Sequence, residues 1–419
     1  MKNVYTLSEV ANLLGKSKET LRRWDKSGKL SALREPMSNY RTYKKEQLMI
    51  FDEVEFNPNY IEKQGPVKAA GNYTVLELFA GAGGLAIGME QAGLKCIALN
   101  EIDHWAAETL RTNRPNWNVM EGDIRTLSFS HLKGAVDVVT GGFPCQAFSY
   151  AGKKLGLQDA RGTLFYEFAR AVQETSPAVC IGENVRGLLN HDNGRTLQGM
   201  VSILDEIGYR VLDPKVLKAI FYNVPQKRER LVLVGIRKDI DLNFEYPQSS
   251  KEVYTLKDAL KKGKLYATDV PASAGAKYPI SKKEVLDMVP PGGYWRDLPL
   301  EMQKTYMQKS FYLGGGKTGM ARRISWEEPC LTLTCSPAQK QTERCHPEET
   351  RPFTVREYAR IQTFPDEWKF AGPVSSQYKQ IGNAVPVNLA KAIGFSIVSF
   401  LNAKQLKKVK KQDEAVAFV

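Results

Sequence analysis

The sequence predicts an α/β protein in which a doubly wound sheet bears a smaller, irregular domain and follows an N-terminal winged helix-turn-helix. Three observations predict this architecture. Short apolar runs alternate with helical stretches after residue 73, a glycine-rich turn follows the first run, and two short helix-like segments lie at the N-terminus. Apolar strands that alternate with helices are typical of a sheet covered by helices on both faces.

Composition and charge restrict the class of protein. The chain has 419 residues, of which 42% are hydrophobic, and its net charge of +13 is typical of a protein that binds a polyanion. An apolar run of about 18 residues and a secretory signal are both missing, so we expect no membrane contact and a cytoplasmic, nucleoid-associated location. The six cysteines show neither a disulfide framework nor paired CxxC motifs, so we expect no metal site.

Residues 1–56 are predicted to form a separate DNA-binding unit. Thr6 and Ser8 precede Glu9 and an apolar run, which indicates a capped helix that Gly15 ends. A second helix, predicted over 17–25, places its basic residues where a recognition helix meets DNA: Lys18, Arg22 and Arg23. The segment resembles the winged helix-turn-helix of MerR-type regulators, with 39–43 as the wing. A two-helix protein-interaction module is the alternative.

The strands of the sheet are predicted from five apolar runs. They cover residues 74–79, 95–100, 136–140, 178–182 and 231–236. Residues 57–72 contain Pro58, Pro66 and Gly71 and are predicted to be a linker. We assign 73–239 and 374–402 to the sheet domain, 240–373 to the irregular domain, and 403–419 to a flexible, lysine-rich tail.

The glycine turn between the first strand and the first helix predicts a nucleoside-binding site. Gly81 and Gly83 permit a close backbone approach, and Phe79 offers an aromatic face. Glu101 ends the next strand, where a carboxylate can accept both ribose hydroxyls, and Asp123 is placed to bind an adenine amino group. The turn does not match the GxxxxGK[ST] pattern of triphosphate sites, so S-adenosylmethionine fits better than ATP.

Cys145 is the candidate nucleophile. It follows Pro144 and two glycines after an apolar strand, and this loop position can present a thiolate to an electrophilic carbon. A buried, inert thiol is the alternative for any single cysteine. Polar neighbours on the loop, Gln146 and Ser149, favour the reactive role.

Three charged residues are candidates for the same site. Glu183 lies at the end of a strand, where a carboxylate in an α/β cleft can act as acid or base. Arg228 and Arg230 alternate along the chain, so on a strand both would point to one face, where they could bind a base oxygen or hold Glu183. Each is an ordinary surface charge when taken singly.

Taken in order, these segments resemble the motifs of the DNA (cytosine-5) methyltransferases, over nearly all of 73–402. Residues 79–84 match the first motif, Glu101 and Asp123 the second and third, and Pro144-Cys145 the fourth. The sixth and eighth are matched by 183–185 and 226–230, and the ninth and tenth by 351–365 and 382–386. The one departure is Ala384, where many relatives have serine.

The resemblance implies an activity and a set of site residues. Cys145 would add to carbon 6 of a flipped-out cytosine, Glu183 would contact ring nitrogen 3, and Arg230, or Arg228, would bind the 2-oxo group. Residues 240–350 would recognise the DNA sequence, with Arg322 and Arg323 as candidate contacts. The implied S-adenosylmethionine contacts are Phe79, Gly81, Gly83, Gly84, Glu101, Ile102, Asp123, Ile124, Pro144, Asn383 and Ala384.

The resemblance also implies partners, and alternatives stay open. The expected partners are double-stranded DNA and a restriction endonuclease of the same specificity. We expect a monomer; the alternative is a dimer that forms through the N-terminal unit. That unit would repress its own operon or add a second grip on DNA, and we favour regulation. The alternative functions are an RNA cytosine-5 methyltransferase and a DNA-binding regulator without methylase activity.

Overall fold

The computed structural model describes residues 4–14, 16, 18–35, 40–48, 67–144, 163–250, 252–314 and 317–416. Two compact units make up the chain, Met1–Gly65 and Pro66–Val419. The boundary between them lies inside the segment that was predicted to be a linker, 57–72.

The first unit has the predicted helix-turn-helix with a small sheet. Its elements are β1 (Val4–Thr6), α1 (Leu7–Leu13), α2 (Lys18–Lys26), β2 (Leu33–Arg34), β3 (Arg41–Lys44) and α3 (Lys45–Leu48), with strand order β1-β3-β2. The predicted cap is confirmed, because Thr6 N donates to Glu9 Oε2 at 2.7 Å and Glu9 N donates to Thr6 Oγ1 at 3.3 Å. Gly15, Ser17 and Asn39 lie outside the described residues.

The second unit is built on a mixed sheet. Its strands are β4 (Thr74–Leu78), β5 (Lys95–Glu101), β6 (Val119–Glu121), β7 (Val138–Gly141), β8 (Val179–Val185), β9 (Tyr209–Val211), β10 (Lys215–Lys218) and β12 (Glu229–Arg237). The order is β10-β12-β8-β7-β4-β5-β6, with β9 on β12. Strands β4 to β8 pair in parallel, whereas β12 is antiparallel to its neighbours. The predicted doubly wound α/β fold is confirmed.

Helices cover both faces of this sheet. The helices of the unit are α4 (Gly84–Gln91), α5 (His104–Asn113), α6 (Leu164–Thr175), α7 (Arg195–Glu206), α8 (Leu256–Leu260), α9 (Ile280–Asp287), α10 (Leu300–Met307), α11 (Val355–Ile361), α12 (Val374–Asn383) and α13 (Val387–Val416). Apolar side chains of α4 and α13 form one core layer with the sheet, and those of α6 and α7 form another. Alternate residues of each central strand supply both layers, which explains their continuous apolar sequence.

Helix α13 corrects the expected flexible tail. It runs to Val416, so most of the lysine-rich segment 403–419 continues a helix whose first half is core. A Cβ added at Gly88 of α4 would lie 2.3 Å from Ala390 Cβ, which shows how closely the two helices pack. The span Val374–Val409 is long and apolar enough to cross a membrane, but 67% of its most apolar window is buried in the protein. Its hydropathy therefore reflects packing against α4.

The region 240–350 has little regular structure beyond α8, α9 and α10, as predicted. Two short strands, β11 (Gln226–Lys227) and β13 (Cys330–Leu331), pair in parallel and join it to the sheet domain. A separate apolar cluster forms its centre, with members Tyr278, Leu286, Val289, Trp295, Leu298, Met307, Met320, Ala321 and Cys345. Residues 353–368, assigned to this domain from sequence, instead place their apolar side chains in the main core with β4 and α13.

Candidate active site

The glycine turn leaves the C-terminal end of β4 and enters α4. Phe79, Gly81 and Gly83 all have positive φ, at 57°, 55° and 84°, and only glycine adopts this region without a steric cost. The reversal exposes backbone groups at the edge of the sheet where ligands of open α/β folds bind. A Cβ on Gly83 would lie 2.8 Å from Leu110 Cδ2, so close packing also requires glycine there.

Glu101 lies at the end of β5, directly beside this turn. Its Oε2 accepts the Gly81 N–H and its Oε1 accepts the Asp103 N–H, both at 2.7 Å. The side chain is 8% exposed, and burial raises the pKa of the carboxyl while these backbone N–H groups oppose the shift. The two bonds fix both oxygens in position and leave lone pairs for further donors.

The neighbouring candidates differ in what they can offer a ligand. Ile102 is 64% exposed, so an apolar side chain lies open beside Glu101. Asp123 is half-buried and forms an ion pair with Arg125 at 2.6 Å, which lowers the pKa of its carboxyl. Ile124 is only 2% exposed, and its side chain packs in the core. Only the backbone of Ile124 is therefore available to a ligand.

The segment that resembles the tenth motif closes on the glycine turn. A Cβ added at Gly84 would lie 2.3 Å from the Val385 carbonyl oxygen and 3.2 Å from Ala384 Cβ. Ala384 is 8% exposed, whereas Asn383 is exposed and accepts a hydrogen bond from Cys335 Sγ at 2.8 Å. The structure thus brings the glycine turn into contact with the segment that resembles the tenth motif, although they are 300 residues apart in sequence.

The loop expected to present Cys145 starts beside Glu183. Asn184 Nδ2 donates a buried hydrogen bond to the Phe143 carbonyl oxygen at 2.8 Å. A Cβ added at Gly142 would lie 3.0 Å from Glu183 Oε2, which is closer than most side chains approach, so glycine gives the carboxyl room there. Pro144 is exposed, and Cys145 lies outside the described residues.

Glu183 pairs with Arg230 across the β8–β12 ladder. Arg230 Nε lies 2.6 Å from Glu183 Oε1, and both residues are 9% exposed. Burial raises the pKa of Glu183, and the charges of Arg230 and Arg228 oppose that shift. Burial likewise lowers the pKa of Arg230, and Glu183 opposes it. The pair places a carboxyl and a guanidinium side by side with little water around them.

Arg228 has a different environment from Arg230, which corrects the expectation that either could contact a base. It is 2% exposed, and its Nη groups donate to the carbonyl oxygens of Leu333, Gly382 and Ala384 at 3.2, 2.8 and 3.0 Å. Both Nη groups of the guanidinium are therefore hydrogen-bonded to backbone carbonyl groups. Arg228 therefore holds the tenth-motif segment in place, and Arg230 is the remaining candidate for contact with a base.

The expected DNA contact Arg323 is corrected as well, whereas Arg322 stays a prediction. Arg323 is 4% exposed and donates to the carbonyl oxygens of Val289, His346 and Leu286 at 2.7, 3.0 and 2.7 Å. The Arg322 side chain is 16% exposed and lies 3.9 Å from Glu328. Backbone carbonyl groups surround the Arg323 guanidinium, so it is not available to a phosphate or a base edge, whereas the Arg322 side chain is only partly covered.

Helix α2 of the N-terminal unit bears the three basic residues that were predicted to contact DNA. Arg22 and Arg23 are exposed on α2, and Lys18 at its start is half-buried. Arg22 lies 3.4 Å from Glu19 on the same helix, an exposed pair that is weak in water. The outward face of α2 therefore exposes two arginines.

Two contributors to the site were missed in the sequence. Trp368 is 1% exposed, and its Nε1 donates to the Ala82 carbonyl oxygen in the glycine turn at 3.1 Å. Lys379 forms an ion pair with Asp103 at 2.7 Å, next to Glu101. Neither has a local signal, because each reaches its partner from more than 270 residues away.

The donor set at the glycine turn fits a nucleoside. A fixed carboxylate, an exposed apolar side chain and a backbone reversal with positive φ lie together at the sheet edge. A second group, formed by Glu183 and Arg230, lies two strands away beside the Pro-Cys loop. Parallel strands β4, β7 and β8 bring both groups to the same edge of the sheet.

Comparison with known families identifies the chain. The sequence profile described as C-5 cytosine-specific DNA methylase matches residues 73–399. The chain belongs to this family. The profile of the MerR HTH family regulatory proteins matches residues 5–54, so the N-terminal unit is a MerR-like helix-turn-helix.

Similar proteins share almost the whole length of this family member. It is 64% identical over 407 residues to the Type II methyltransferase M.Eco47II of Escherichia coli, covering 96% of this chain and 97% of that one. It is 56% identical over 405 residues to M.PspPI of Psychrobacter sp. (strain TA137), with the same coverage of 96% and 97%. The chain is therefore a DNA methyltransferase of the Type II restriction-modification class.

Solved structures support the same fold. A DNA modification methyltransferase encoded within an E. coli prophage aligns with a TM-score of 0.56 at 24% identity, covering 79% of this chain and 100% of that one. Spodoptera frugiperda DNMT2 aligns with a TM-score of 0.55 at 17% identity, covering 78% and 99%. At these identities the likeness concerns the fold alone.

Proposed function

We propose that this methyltransferase transfers a methyl group from S-adenosylmethionine to carbon 5 of a cytosine flipped out of duplex DNA, through a covalent bond between Cys145 and carbon 6. The observation that supports this most directly is the attachment of the Pro-Cys loop to β8. Asn184 binds the Phe143 carbonyl, and Gly142 approaches Glu183. The loop therefore starts next to a buried carboxyl that can contact the same base.

The chemistry proceeds through the base itself. The Cys145 thiolate adds to carbon 6, and the electrons of the 5,6 double bond move toward carbon 5 and the ring. Glu183 donates its proton to ring nitrogen 3, so that carbon 5 becomes an enamine-like nucleophile. S-adenosylmethionine supplies an electrophilic methyl group to this carbon. Loss of the carbon 5 proton to water then restores the double bond and expels the Cys145 thiolate, and ring nitrogen 3 returns its proton to Glu183.

The buried Glu183–Arg230 pair suits the charges that would develop on the base during these steps. A carboxyl whose pKa is raised by burial retains a proton more readily, and it can donate that proton when the thiolate adds. Arg230, which lies 2.6 Å from Glu183, would bind the 2-oxo oxygen, on which charge also develops. Neither group can reach a base inside the stack, so the cytosine must leave the duplex.

The cofactor would be held by the glycine-turn residues. Glu101 would accept the ribose hydroxyls, because backbone N–H groups already fix its two oxygens. The open side chain of Ile102 would pack on the adenine, and Asp123 would accept its amino group after giving up part of its pairing with Arg125. Gly81, Gly83 and Gly84 keep the turn free of side chains.

The proposal extends to the partners of the enzyme. The relatives named above are Type II methyltransferases, and a restriction endonuclease of the same specificity is the expected partner in the cell. The cytoplasm, in association with the nucleoid, is the expected location. Exposed Arg22 and Arg23 on α2 support a role of the MerR-like unit in binding DNA, which we assign to repression of its own operon.

Covalent trapping tests the nucleophile directly. After methyl transfer from S-adenosylmethionine, fluorine at carbon 5 cannot leave as a proton leaves, so in the presence of this cofactor duplex DNA with 5-fluorocytosine at the methylated position should stay bonded to the enzyme. We expect an adduct that survives denaturation in wild type and is missing in Cys145→Ser. An adduct of equal yield in Cys145→Ser would assign the nucleophile to another residue.

Deletion of residues 1–56 tests the role of the MerR-like unit. The deletion should leave this adduct intact and abolish binding to the promoter of the enzyme's own operon. Loss of the adduct in a folded deletion variant would make the MerR-like unit part of the enzyme.

A further inference from the structure

The irregular domain exposes two large apolar side chains side by side. Tyr312 is 78% exposed and Leu313 is 65% exposed, directly before the glycine run 314–316. Adjacent exposed apolar side chains on a polar surface mark contact sites more often than isolated ones do. We call the segment 308–314 the aromatic loop.

The base of the aromatic loop is fixed. The Phe311 ring packs edge-on against Tyr312 at 5.1 Å and against the buried Trp295 at 6.0 Å between centroids. Lys317 Nζ donates to the carbonyl oxygens of Leu313, at 2.6 Å, and Ser310. These contacts hold the loop that bears the two exposed side chains in one conformation. Binding therefore costs less conformational entropy.

Basic and amide side chains surround a cavity beside the loop. The cavity has a volume of about 550 Å³, and its lining residues within the described chain include three lysines, two glutamines and no carboxylate. These five are Gln308, Lys309, Lys317, Lys340 and Gln341. Lysines bind DNA phosphates, and glutamine can read a base edge through paired hydrogen bonds.

Buried Glu343 holds the two sides of this cavity together. Its carboxylate accepts from Tyr306 OH at 2.5 Å and from the Ala321 N–H, and it lies 2.6 Å from Lys282 Nζ. Its backbone N–H donates to the Gly319 carbonyl oxygen at 2.9 Å. The segment that bears Lys340 and Gln341 is therefore fixed relative to the segment that bears the aromatic loop.

The same segment leads back to the active centre. A Cβ at Gly382 would lie 2.6 Å from the Thr334 carbonyl, and Thr334 Oγ1 lies 3.3 Å from Thr342 Oγ1. Lys340 is the fifth residue after Cys335, which limits the distance between their Cα atoms to about 17 Å. This distance is about half of one helical turn of duplex DNA, which is roughly 34 Å long. A single duplex can therefore contact both the active centre and the cavity beside the aromatic loop.

We propose that the aromatic loop and the side chains of Gln308, Lys309, Lys340 and Gln341 form the surface that selects the DNA sequence. This inference rests on the proposed function, because it assigns the recognition site for that same reaction. Lys309 and Lys340 bind phosphates flanking the target, and Tyr312 and Leu313 contact base edges in the groove. These residues take the place of buried Arg323. A second copy of the chain does not suit this surface, because two copies that each have a net charge of +13 repel one another.

Salt-dependent DNA binding tests the lysines. The double variant Lys309→Gln/Lys340→Gln should bind its own site and an unrelated duplex more weakly, with a slope of log K against log salt reduced by roughly 1.8. Lys95→Gln/Lys133→Gln removes two exposed lysines of the sheet domain and makes the same change in charge. We expect this control to keep the wild-type slope.

Site discrimination tests the aromatic loop. The variant Tyr312→Ala/Leu313→Ala should lose about 5- to 150-fold in the preference for the cognate over an unrelated duplex. The control Ile280→Ala removes an apolar side chain that is 79% exposed on α9 and should keep the preference. Thermal unfolding and S-adenosylmethionine binding should match wild type in every variant.

The two proposals fail in different ways. Wild type that methylates no DNA would contradict the proposed function, whatever these variants do. Wild type that methylates a single site, with slope and discrimination unchanged in both double variants, would overturn the recognition surface alone. A loss of slope in the lysine variant with full discrimination in the loop variant would overturn the role of Tyr312 and Leu313.

Discussion

Asn184 donates a hydrogen bond from Nδ2 to the carbonyl oxygen of Phe143 across 2.8 Å, in the buried interior. The bond joins the strand that bears Glu183 to the loop that leads to Cys145. In the proposed mechanism the carboxyl and the thiol act on one pyrimidine ring, and this bond fixes the start of the loop relative to the strand of Glu183.

We expect Asn184→Ala to lower kcat by at least tenfold. The change leaves the Phe143 carbonyl without its donor, at a cost of about 1–3 kcal/mol in unfolding free energy, and it releases the start of the Cys145 loop. Steady-state kinetics and urea unfolding measure the two effects. Asn243→Ala, at an exposed position, is the control. Unchanged kcat in folded Asn184→Ala would show that the loop is positioned by other contacts.

Glu183→Gln should reduce kcat by roughly 10²- to 10⁴-fold, the usual contribution of a positioned acid or base. Glutamine keeps the shape of the side chain but cannot transfer a proton to ring nitrogen 3. The dissociation constant of S-adenosylmethionine, measured by calorimetry, should stay close to that of wild type, because Glu101 and the glycine turn lie on other strands. Activity within threefold of wild type would remove Glu183 from the mechanism.

Gly84→Ala should destabilise the protein by about 1–3 kcal/mol and weaken cofactor binding. The new Cβ would lie 2.3 Å from the Val385 carbonyl oxygen, a backbone atom that cannot rotate away. Thermal unfolding and calorimetry are the measurements. In the control Gly263→Ala, the nearest atom is Lys261 O at 3.9 Å, so both quantities should be unchanged. Equal melting temperatures for the two variants would contradict the close approach of these segments.

Glu77 predicts a pH dependence of stability. It is 1% exposed on β4, and burial raises the pKa of its carboxyl well above 4.5. The folded protein thus binds this proton more tightly than the unfolded chain. The contribution of Glu77 to stability is complete below about pH 4.5 and is lost as the pH rises through its folded-state pKa.

Urea unfolding of Glu77→Gln between pH 5 and pH 8 checks this expectation. Glutamine is neutral throughout, so the variant should gain stability relative to wild type as the pH rises. Exposed Glu284→Gln is the control and should follow wild type. A constant difference between Glu77→Gln and wild type over this range would show that Glu77 is ionised in the folded protein throughout.

The strands and the acidic residues at their ends were predictable from sequence. Buried parallel strands are continuous apolar runs, and glycine turns mark where they stop, so Glu101 and Glu183 were assigned to strand ends that the structure confirms. The MerR-like helix pair was equally clear from its cap and its spacing. These features are local, and each is encoded within about ten residues.

The features that were not predictable depend on distant partners. Arg228 and Arg230 have the same sequence pattern, yet carbonyl groups of Gly382 and Ala384, more than 150 residues away, bind Arg228. Arg323 was expected to contact DNA, but backbone carbonyl groups from two segments, 286–289 and His346, surround its guanidinium. Exposure of an arginine is a property of the tertiary fold.

Bisulfite sequencing tests the central claim most directly. The protein and its Cys145→Ser variant are expressed in a host that lacks cytosine methylation, and the host DNA is then sequenced. The account predicts 5-methylcytosine at every copy of one short motif with wild type, and at no site with Cys145→Ser. Unmethylated DNA from cells with soluble wild-type protein that binds S-adenosylmethionine, or equal methylation by the variant, would contradict it.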